Sequence, residues 1–124
     1  MRMNQVTLGA IDVEASIAFY RTLGLELIVQ TPDYARFIVP EGQATLSVHR
    51  VASVPRDGAP LVYFEDDALD ARVAALKARG LVFESDPVDQ PWLWREATLR
   101  DPAGNLLCLY FAGVNRLDPP WRLR

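Results

Sequence analysis

Few residues of this chain have side chains that could carry out chemistry, and they fall at alternate positions of short apolar segments. His49 is the only histidine and Cys108 the only cysteine. A histidine titrates near neutral pH, and beside an orienting carboxylate, that of Glu96 or of Glu65, it can act as a general base. If the protein is an enzyme, His49 and Glu96 are therefore the candidates for proton transfer.

Each of these residues also has a structural interpretation that the sequence leaves open. His49 could be a strand-end histidine that hydrogen-bonds to the backbone, and Cys108 a small buried hydrophobic residue. In the segment PWLWRE, Arg95 stacked on Trp92 or Trp94 would form a clamp for an anion or an aromatic ring. The same residues could instead pack at a dimer interface.

Two stretches with the same plan must position these residues. Residues 6–26 and 62–84 each contain an apolar strand, an acidic helix start, an apolar helix and a glycine, and they coincide at an offset of 56 residues. Asp12 is suited to cap the first helix, because its carboxylate can accept amide hydrogens of the first turn. Gly24 is suited to end that helix in the left-handed conformation. A repeat of this size indicates two copies of one supersecondary unit.

Each copy has the predicted order β-α-β-β-β. Apolar and β-branched runs broken by proline, glycine and aspartate predict the strands. Residues 51–60 are expected to link the copies, and residues 88–91 to form a loop. The predicted strands are residues 3–9, 25–30, 34–39, 44–49, 61–65, 81–85, 94–100 and 105–111, and the predicted helices run from Asp12 to Gly24 and over residues 67–79.

Composition excludes several classes of protein. The chain has 124 residues, half of them hydrophobic, which suits one folded domain with a core. A net charge of −3 argues against nucleic-acid binding, and no apolar run approaches the ~20 residues of a membrane span. The first predicted strand begins without the apolar region of a signal peptide, and a single cysteine is typical of a reducing compartment. We expect a cytoplasmic protein with neither a nucleic-acid nor a membrane partner.

Two groups of motif residues stand out, namely Asp12, Glu14, Ala15, Ser16, Phe19, Tyr20, Leu23 and Gly24 in the first copy, and Asp101, Pro102, Ala103, Gly104 and Asn105 in the last hairpin. They resemble motifs of the vicinal oxygen chelate (VOC) superfamily, which includes glyoxalase I, bleomycin- and fosfomycin-resistance proteins and extradiol dioxygenases. The resemblance covers about residues 5–111, and residues 90–105 and 115–124 also resemble a bacterial subgroup. It implies an α+β fold with two βαβββ modules, at about 3–50 and 60–111, that form an open cup-shaped sheet. We expect one domain over residues 1–124, with a tail at 112–124.

The resemblance also implies four ligand positions for a divalent metal, which members of the superfamily bind with His, Gln or Glu. Three of these positions carry over to Gln5, Leu61 and Cys108. The fourth falls on Leu46 if the glycine turns are matched, and on Ser47 if the strand faces are matched. We favour Ser47, because Leu46 must point at the helix layer.

This set of four is a poor metal site. Leucine cannot bind a metal, serine is a weak ligand, and a lone thiol beside one amide lacks the three proper ligands that protein metal sites normally have. We therefore expect no metal cofactor. The alternative is a site of shifted geometry, in which His49 binds a divalent metal together with Gln5 and Glu65.

By strand alternation, the cup is expected to be an apolar and aromatic pocket with a few polar anchors, which is the usual composition of a small-molecule site. We predict a metal-free protein that binds a small apolar or aromatic molecule. The alternatives are a lyase or dioxygenase with a non-standard site, and a non-catalytic dimerisation module. Open sheet edges and surplus aromatic residues predict a homodimer. The predicted ligand-binding residues are Gln5, Thr7, Ser47, His49, Leu61, Tyr63, Trp92, Trp94, Glu96, Cys108 and Tyr110.

Overall fold

A computed structural model describes residues 1–124, which form eight β-strands and two α-helices. Neither helix is both long and apolar enough to cross a membrane. In chain order the elements are β1 (Gln5–Ala10), α1 (Val13–Leu23), β2 (Glu26–Thr31), β3 (Tyr34–Ile38), β4 (Thr45–Arg50), β5 (Val62–Glu65), α2 (Leu69–Ala78), β6 (Val88–Asp89), β7 (Arg95–Arg100) and β8 (Leu106–Phe111), followed by a 3-10 helix (Gly113–Arg116).

Backbone contacts divide the chain into two compact units. The first contains Met1–Pro60 together with Arg100–Asn105, and the second contains Leu61–Leu99 together with Leu106–Arg124. Each unit has one four-stranded sheet, with strand orders β1-β4-β3-β2 and β5-β8-β7-β6. The first and last strands of each unit pair in parallel. The two copies predicted from the repeat, and the α+β class, are therefore confirmed.

Helix α1 of the first unit begins and ends as its sequence predicts. The Asp12 carboxylate accepts the amide hydrogen of Ala15 at 3.1 Å, and Gly24 closes the helix with a φ of 113°. The apolar side of α1 packs against the sheet. The packed residues are Val13, Ile17, Tyr20 and Leu23 on the helix and Ala35, Phe37, Leu46 and Val48 on the sheet, all of them buried.

Helix α2 of the second unit is shorter than predicted, because it begins at Leu69 rather than residue 67. Asp66 terminates the preceding strand, and its carboxylate accepts the Ala68 amide at 2.8 Å and binds Arg72 at 2.8 Å. The helix packs on β8. The buried side chains of this unit are Leu69, Val73, Leu76, Ala97, Leu99, Leu107 and Leu109.

Two predictions for the second unit are wrong. Residues 81–85 form no strand, only an isolated bridge between Phe83 and Leu99, because Ser85 bonds Thr98 through its side chain and Pro87 has no amide hydrogen for a ladder. Residues 88–91 are not all loop, since Val88–Asp89 pairs with β7. A tight turn through Leu93, with a φ of 67°, closes this hairpin.

Candidate ligand-binding site

One face of the first sheet carries a chain of polar side chains. Thr7 lies opposite Ser47 in the parallel pairing of β1 with β4, and their hydroxyls are 2.7 Å apart. Gln5 donates its amide hydrogen to Ser47 at 3.5 Å and accepts a hydrogen bond from Thr45 at 2.9 Å. These bonds place Ser47 on the same face as Gln5 and Thr7, as the matching of strand faces predicts.

The polar chain continues onto β3 through Tyr34. The Arg36 Nε donates to the Tyr34 hydroxyl at 2.9 Å, and the guanidinium carbon lies 5.5 Å from the centre of the Tyr34 ring. Hydrogen bonds from Ser47 and then from Arg36 lower the pKa of Tyr34 below its usual value of 10. The phenol therefore holds its proton less tightly than an ordinary tyrosine.

His49 ends this face. It is exposed and lies opposite Tyr34 on β3 and Gly9 on β1. A small cavity of about 210 Å³ opens beside it, lined mainly by the end of β1 and by residues 51–60. A role for His49 as a general base stays a prediction.

The corresponding face of the second sheet is aromatic. Trp94 and Tyr110 are stacked, with ring centres 4.7 Å apart, and Tyr63 meets both rings edge-on at 5.8 and 5.3 Å. Both geometries are favourable for aromatic pairs. Tyr110 is buried, whereas Tyr63 remains 42% exposed. The second sheet therefore presents aromatic surface on a rigid backing.

Glu96 and Cys108 lie beside this aromatic cluster. The Trp92 indole donates to the Glu96 carboxylate at 2.7 Å. Burial, followed by the charge of Glu96 and a hydrogen bond to it, raises the pKa of the Cys108 thiol to about 12. Because the thiolate is the nucleophilic form, this shift leaves Cys108 mostly as a protonated thiol near neutral pH.

The clamp of Arg95 on a tryptophan is a wrong prediction. Arg95 points to the helix side of β7, where its Nε and Nη2 bind Asp70 at 2.8 and 3.0 Å and its Nη1 binds Asp89 at 3.1 Å. Two carboxylates hold the guanidinium more strongly than an indole face can. Trp94 instead donates its indole hydrogen to the Asn115 carbonyl at 3.4 Å.

Glu65, the third member of the shifted metal site, has its carboxylate occupied by the tail. One oxygen accepts the amide hydrogens of Ala112 and Gly113 at 2.8 and 2.9 Å, and the other lies 3.8 Å from Arg116. The carboxylate thus anchors the start of the 3-10 helix. Binding a metal through Glu65 would require these bonds to break.

The residues at the superfamily's ligand positions do not fit a metal ion. The Leu61 side chain has no donor atom, and Cys108 is a buried thiol. The Gln5 carbonyl oxygen accepts a hydrogen bond from Thr45, and the Ser47 hydroxyl bonds to Thr7. No group of three or more His, Cys, Asp or Glu side chains is arranged to hold a metal ion.

The structure adds Tyr34 and Arg36 to the residues predicted from the sequence. Both lie on β3, which carries none of the superfamily's ligand positions and pairs with β4, where Ser47 lies. Their positions alternate with the buried Ala35 and Phe37, so the same alternation that placed Ser47 could have placed them on the polar face.

Comparison with known proteins identifies relatives of the fold. The sequence profile of the Glyoxalase/Bleomycin resistance protein/Dioxygenase superfamily matches residues 2–109. A comparison with curated proteins gave no significant match.

Several solved structures are similar to this one. A glyoxalase/bleomycin resistance protein/dioxygenase from Nocardioides is 26% identical, with a TM-score of 0.78 and coverage of 100% of this chain and 90% of that chain. A lactoylglutathione lyase from Agrobacterium tumefaciens is 21% identical, with a TM-score of 0.76 and coverage of 94% and 96%. A bleomycin-binding protein complexed with bleomycin is 22% identical, with a TM-score of 0.72 and coverage of 90% and 98%. By its sequence match over residues 2–109, this chain belongs to the Glyoxalase/Bleomycin resistance protein/Dioxygenase superfamily.

Proposed function

We propose that this protein binds a small planar or aromatic molecule without a metal cofactor. The observation that carries the proposal is the aromatic cluster of Tyr63, Trp94 and Tyr110, in which Tyr63 is backed by two rings and is still 42% exposed. An exposed aromatic face on a rigid backing can stack on a planar ligand with little loss of side-chain entropy.

Polar groups beside the cluster would orient the ligand. Glu96 lies on the same face and is held by the Trp92 indole, which is itself 46% exposed. A carboxylate in this position accepts a hydrogen bond from a ligand N–H or O–H. Apolar walls with a few fixed polar groups are typical of small-molecule sites. The similar bleomycin-binding structure supports a binding function for this fold.

The side chains at the superfamily's ligand positions support the proposal of binding without a metal. Leu61 cannot coordinate a metal, and the raised pKa of Cys108 keeps that thiol protonated near neutral pH. A ligand in this protein would therefore be recognised by stacking and hydrogen bonds. Its affinity should be the same before and after dialysis against a chelator.

A thermal-shift screen of planar aromatic compounds, followed by calorimetric titration, tests the proposal. The matched variants are Trp92→Leu beside the cluster and Trp121→Leu in the tail, since both tryptophans are about half exposed, at 46% and 56%. One well-placed ring contributes about 1 kcal/mol beyond the area it buries. Trp92→Leu should therefore weaken binding about fivefold, and Trp121→Leu should not change it.

Two results would count against this function. If no planar compound raises the melting temperature, or if both variants weaken binding equally, the aromatic cluster is core and not a binding surface. If the affinity for the ligand disappears on dialysis against a chelator and returns with a divalent metal, the result favours the lyase or dioxygenase alternative. One similar structure is a lactoylglutathione lyase. In that case His49 and Glu96 become the residues to substitute first.

We also propose that the chain forms a homodimer. Each sheet ends in edge strands, β1 and β2 in one and β5 and β6 in the other, and unpaired strand edges favour association. Leu117, Trp121 and Leu123 in the tail add exposed apolar side chains. Sedimentation at micromolar concentration should give twice the mass of the chain, whereas a monomer would contradict the proposal.

A further inference from the structure

Arg36 is a cation in the first unit that has no acidic partner. Elsewhere in the chain, Arg72 pairs with Asp66 and Arg95 pairs with Asp70 and Asp89. The only polar contact of Arg36 is the hydrogen bond from its Nε to the Tyr34 hydroxyl. Because Arg36 is half-buried, its charge is less well hydrated than that of a fully exposed arginine, and an anion that reached it would be bound more strongly.

Tyr34 fixes the position of the guanidinium group. The Nε bond to the phenol is 2.9 Å long, and the guanidinium carbon lies 5.5 Å from the centre of the same ring. A guanidinium has five N–H groups, so the two terminal nitrogens keep four that no protein acceptor uses. Preorganisation of this kind lowers the entropy lost when an anion binds.

Neutral donors surround the cation. The Tyr34 oxygen accepts a hydrogen bond from Arg36, so its own hydroxyl hydrogen can donate to a ligand. Thr7 and Gln5, both exposed, lie on the same face next to Ser47. The face therefore presents one fixed positive charge and several hydrogen-bond donors. Glu26 lies opposite Ile38 on the neighbouring strand, but Arg36 forms no ion pair with it and bonds only to Tyr34.

We propose that Arg36 and Tyr34 form a subsite for an oxyanion, namely the carboxylate or phosphate group of a small molecule. The two terminal nitrogens of arginine match two oxygens of either group in a bidentate contact, and the Tyr34 hydroxyl supplies a third hydrogen bond. This subsite lies on the first sheet and requires no aromatic ligand, so it is independent of the binding site proposed on the second sheet.

The alternative is that Arg36 only covers the Tyr34 ring, which is a common cation–π arrangement. The two interpretations differ in the response to a ligand. A covering arginine gains nothing from an anion beyond general charge attraction, which any exposed arginine also has. A subsite distinguishes an anion from its neutral analogue and depends on Arg36 more than on other arginines.

The test is an NMR titration of the ¹⁵N-labelled protein with three non-aromatic probes: cyclohexanecarboxylate, cyclohexyl phosphate and the neutral cyclohexanecarboxamide. We expect at least one anion to shift the Nε–Hε signal of Arg36 in a saturable way, and the neutral amide to leave it unchanged. Saturation by the carboxylate alone, the phosphate alone or both identifies the preferred group, and each of these results supports the subsite.

Matched variants complete the test. Arg36→Gln should weaken anion binding about tenfold or more, because it removes a charge-assisted bidentate contact. Arg36→Lys keeps the charge but loses the planar pair of donors, so its affinity should be intermediate. Arg50→Gln is the control, since Arg50 is exposed and already paired with Asp33 at 3.4 Å, and it should bind like the wild type. If Arg36→Gln does not fold, Tyr34→Phe, which should also weaken binding, replaces it.

Three results would overturn the subsite. These are the absence of a saturable shift with either anion, an equal response to the neutral amide, and equal losses of affinity in Arg36→Gln and Arg50→Gln. The result of this test can be distinguished from that of the aromatic-binding proposal on the second sheet. If Trp92→Leu leaves aromatic binding unchanged while Arg36→Gln abolishes anion binding, the aromatic proposal fails and the oxyanion subsite stands.

Discussion

Replacement of Tyr20 by phenylalanine should destabilise the first unit without leaving a cavity. Tyr20 is fully buried in α1, and its hydroxyl donates to the buried Asp101 carboxylate at 2.6 Å. The same carboxylate accepts the amide hydrogens of Ala103 and Asn105 and the side-chain amide of Asn105. Asn105 in turn donates to the Gly9 carbonyl at 2.9 Å. Tyr20→Phe removes one of four hydrogen bonds to a buried charge.

The expected loss of stability is large for one hydrogen bond, because the acceptor is a carboxylate. A hydrogen bond to an ionised group contributes about 1.5–3 kcal/mol, and Asp101 keeps three others in the variant. We expect the free energy of unfolding to fall by about 2 kcal/mol. For a chain of this length, that loss should lower the melting temperature by roughly 8 °C.

The measurement is urea denaturation followed by far-UV circular dichroism. The control is Tyr110→Phe, because Tyr110 is buried in the second unit and its hydroxyl has no hydrogen-bond partner in the chain. That variant should change the free energy of unfolding by less than about 0.5 kcal/mol. Equal small losses in both variants would refute the assigned role of the Tyr20–Asp101 bond.

The same bond predicts a dependence on alkaline pH. Burial first, and then the charge of Asp101, raises the pKa of Tyr20 well above its usual value of 10. Since the pKa is higher in the folded state, the stabilisation is fully present below pH ~10 and is lost as the pH rises further, by about 1.4 kcal/mol per unit. The stability difference between the wild type and Tyr20→Phe should therefore shrink above that pH, and a constant difference would contradict the assignment.

Two further substitutions and one measurement of thiol reactivity test the packing of single residues. Ser16→Ala should raise the free energy of unfolding in urea by about 1 kcal/mol, because the buried Ser16 hydroxyl has no hydrogen-bond partner; a loss would show that the hydroxyl is bonded. Cys108, with its pKa raised to about 12, should react with a disulfide reagent at pH 8 only as fast as the protein unfolds, and rapid reaction of the folded protein would disprove its burial as a thiol. Gly9→Ala should lower the melting temperature, because a Cβ there would lie 2.7 Å from the Val51 side chain, at a cost of about 1–3 kcal/mol; an unchanged melting temperature would mean that residues 51–54 move without strain.

Local signals in the sequence were enough to predict the fold. Asp12 and Gly24 mark the ends of α1 through their capping chemistry, which depends only on neighbouring residues. The repeated unit then required the same topology twice, and the two sheets have matching strand orders. The VOC resemblance and the α+β class are both confirmed.

The errors arose where side chains at a distance decide the structure. The hairpin of β6 and β7 depends on a positive φ at Leu93. Leucine rarely adopts this conformation, so the sequence does not predict it. The position of Arg95 depends on Asp70, 25 residues earlier in the chain. The carboxylate of Asp66, not that of Asp67 or Asp70, accepts the Ala68 amide hydrogen at the start of α2. The sequence alone does not show which of these three aspartates makes this bond.

The predicted site residues fall into two sets, one belonging to each sheet. Alternation placed Ser47 with Gln5 and Thr7 correctly, because the pleat of a strand is fixed by its own sequence. Their role as ligand-binding residues stays a prediction. Tyr34 and Arg36 were missed because the resemblance directs attention to strands that carry metal ligands, and β3 carries none.

The two modules have the same strand order but carry different side chains at equivalent positions. Thr7 lies opposite Ser47 in the first sheet, and Tyr63 lies opposite Cys108 at the equivalent position of the second. The first pair forms a short hydroxyl–hydroxyl bond, whereas the second pair joins an aromatic ring to a buried thiol. In the first module Gln5, Thr7 and Ser47 bond to one another, whereas Arg36 bonds only to Tyr34 and forms no ion pair.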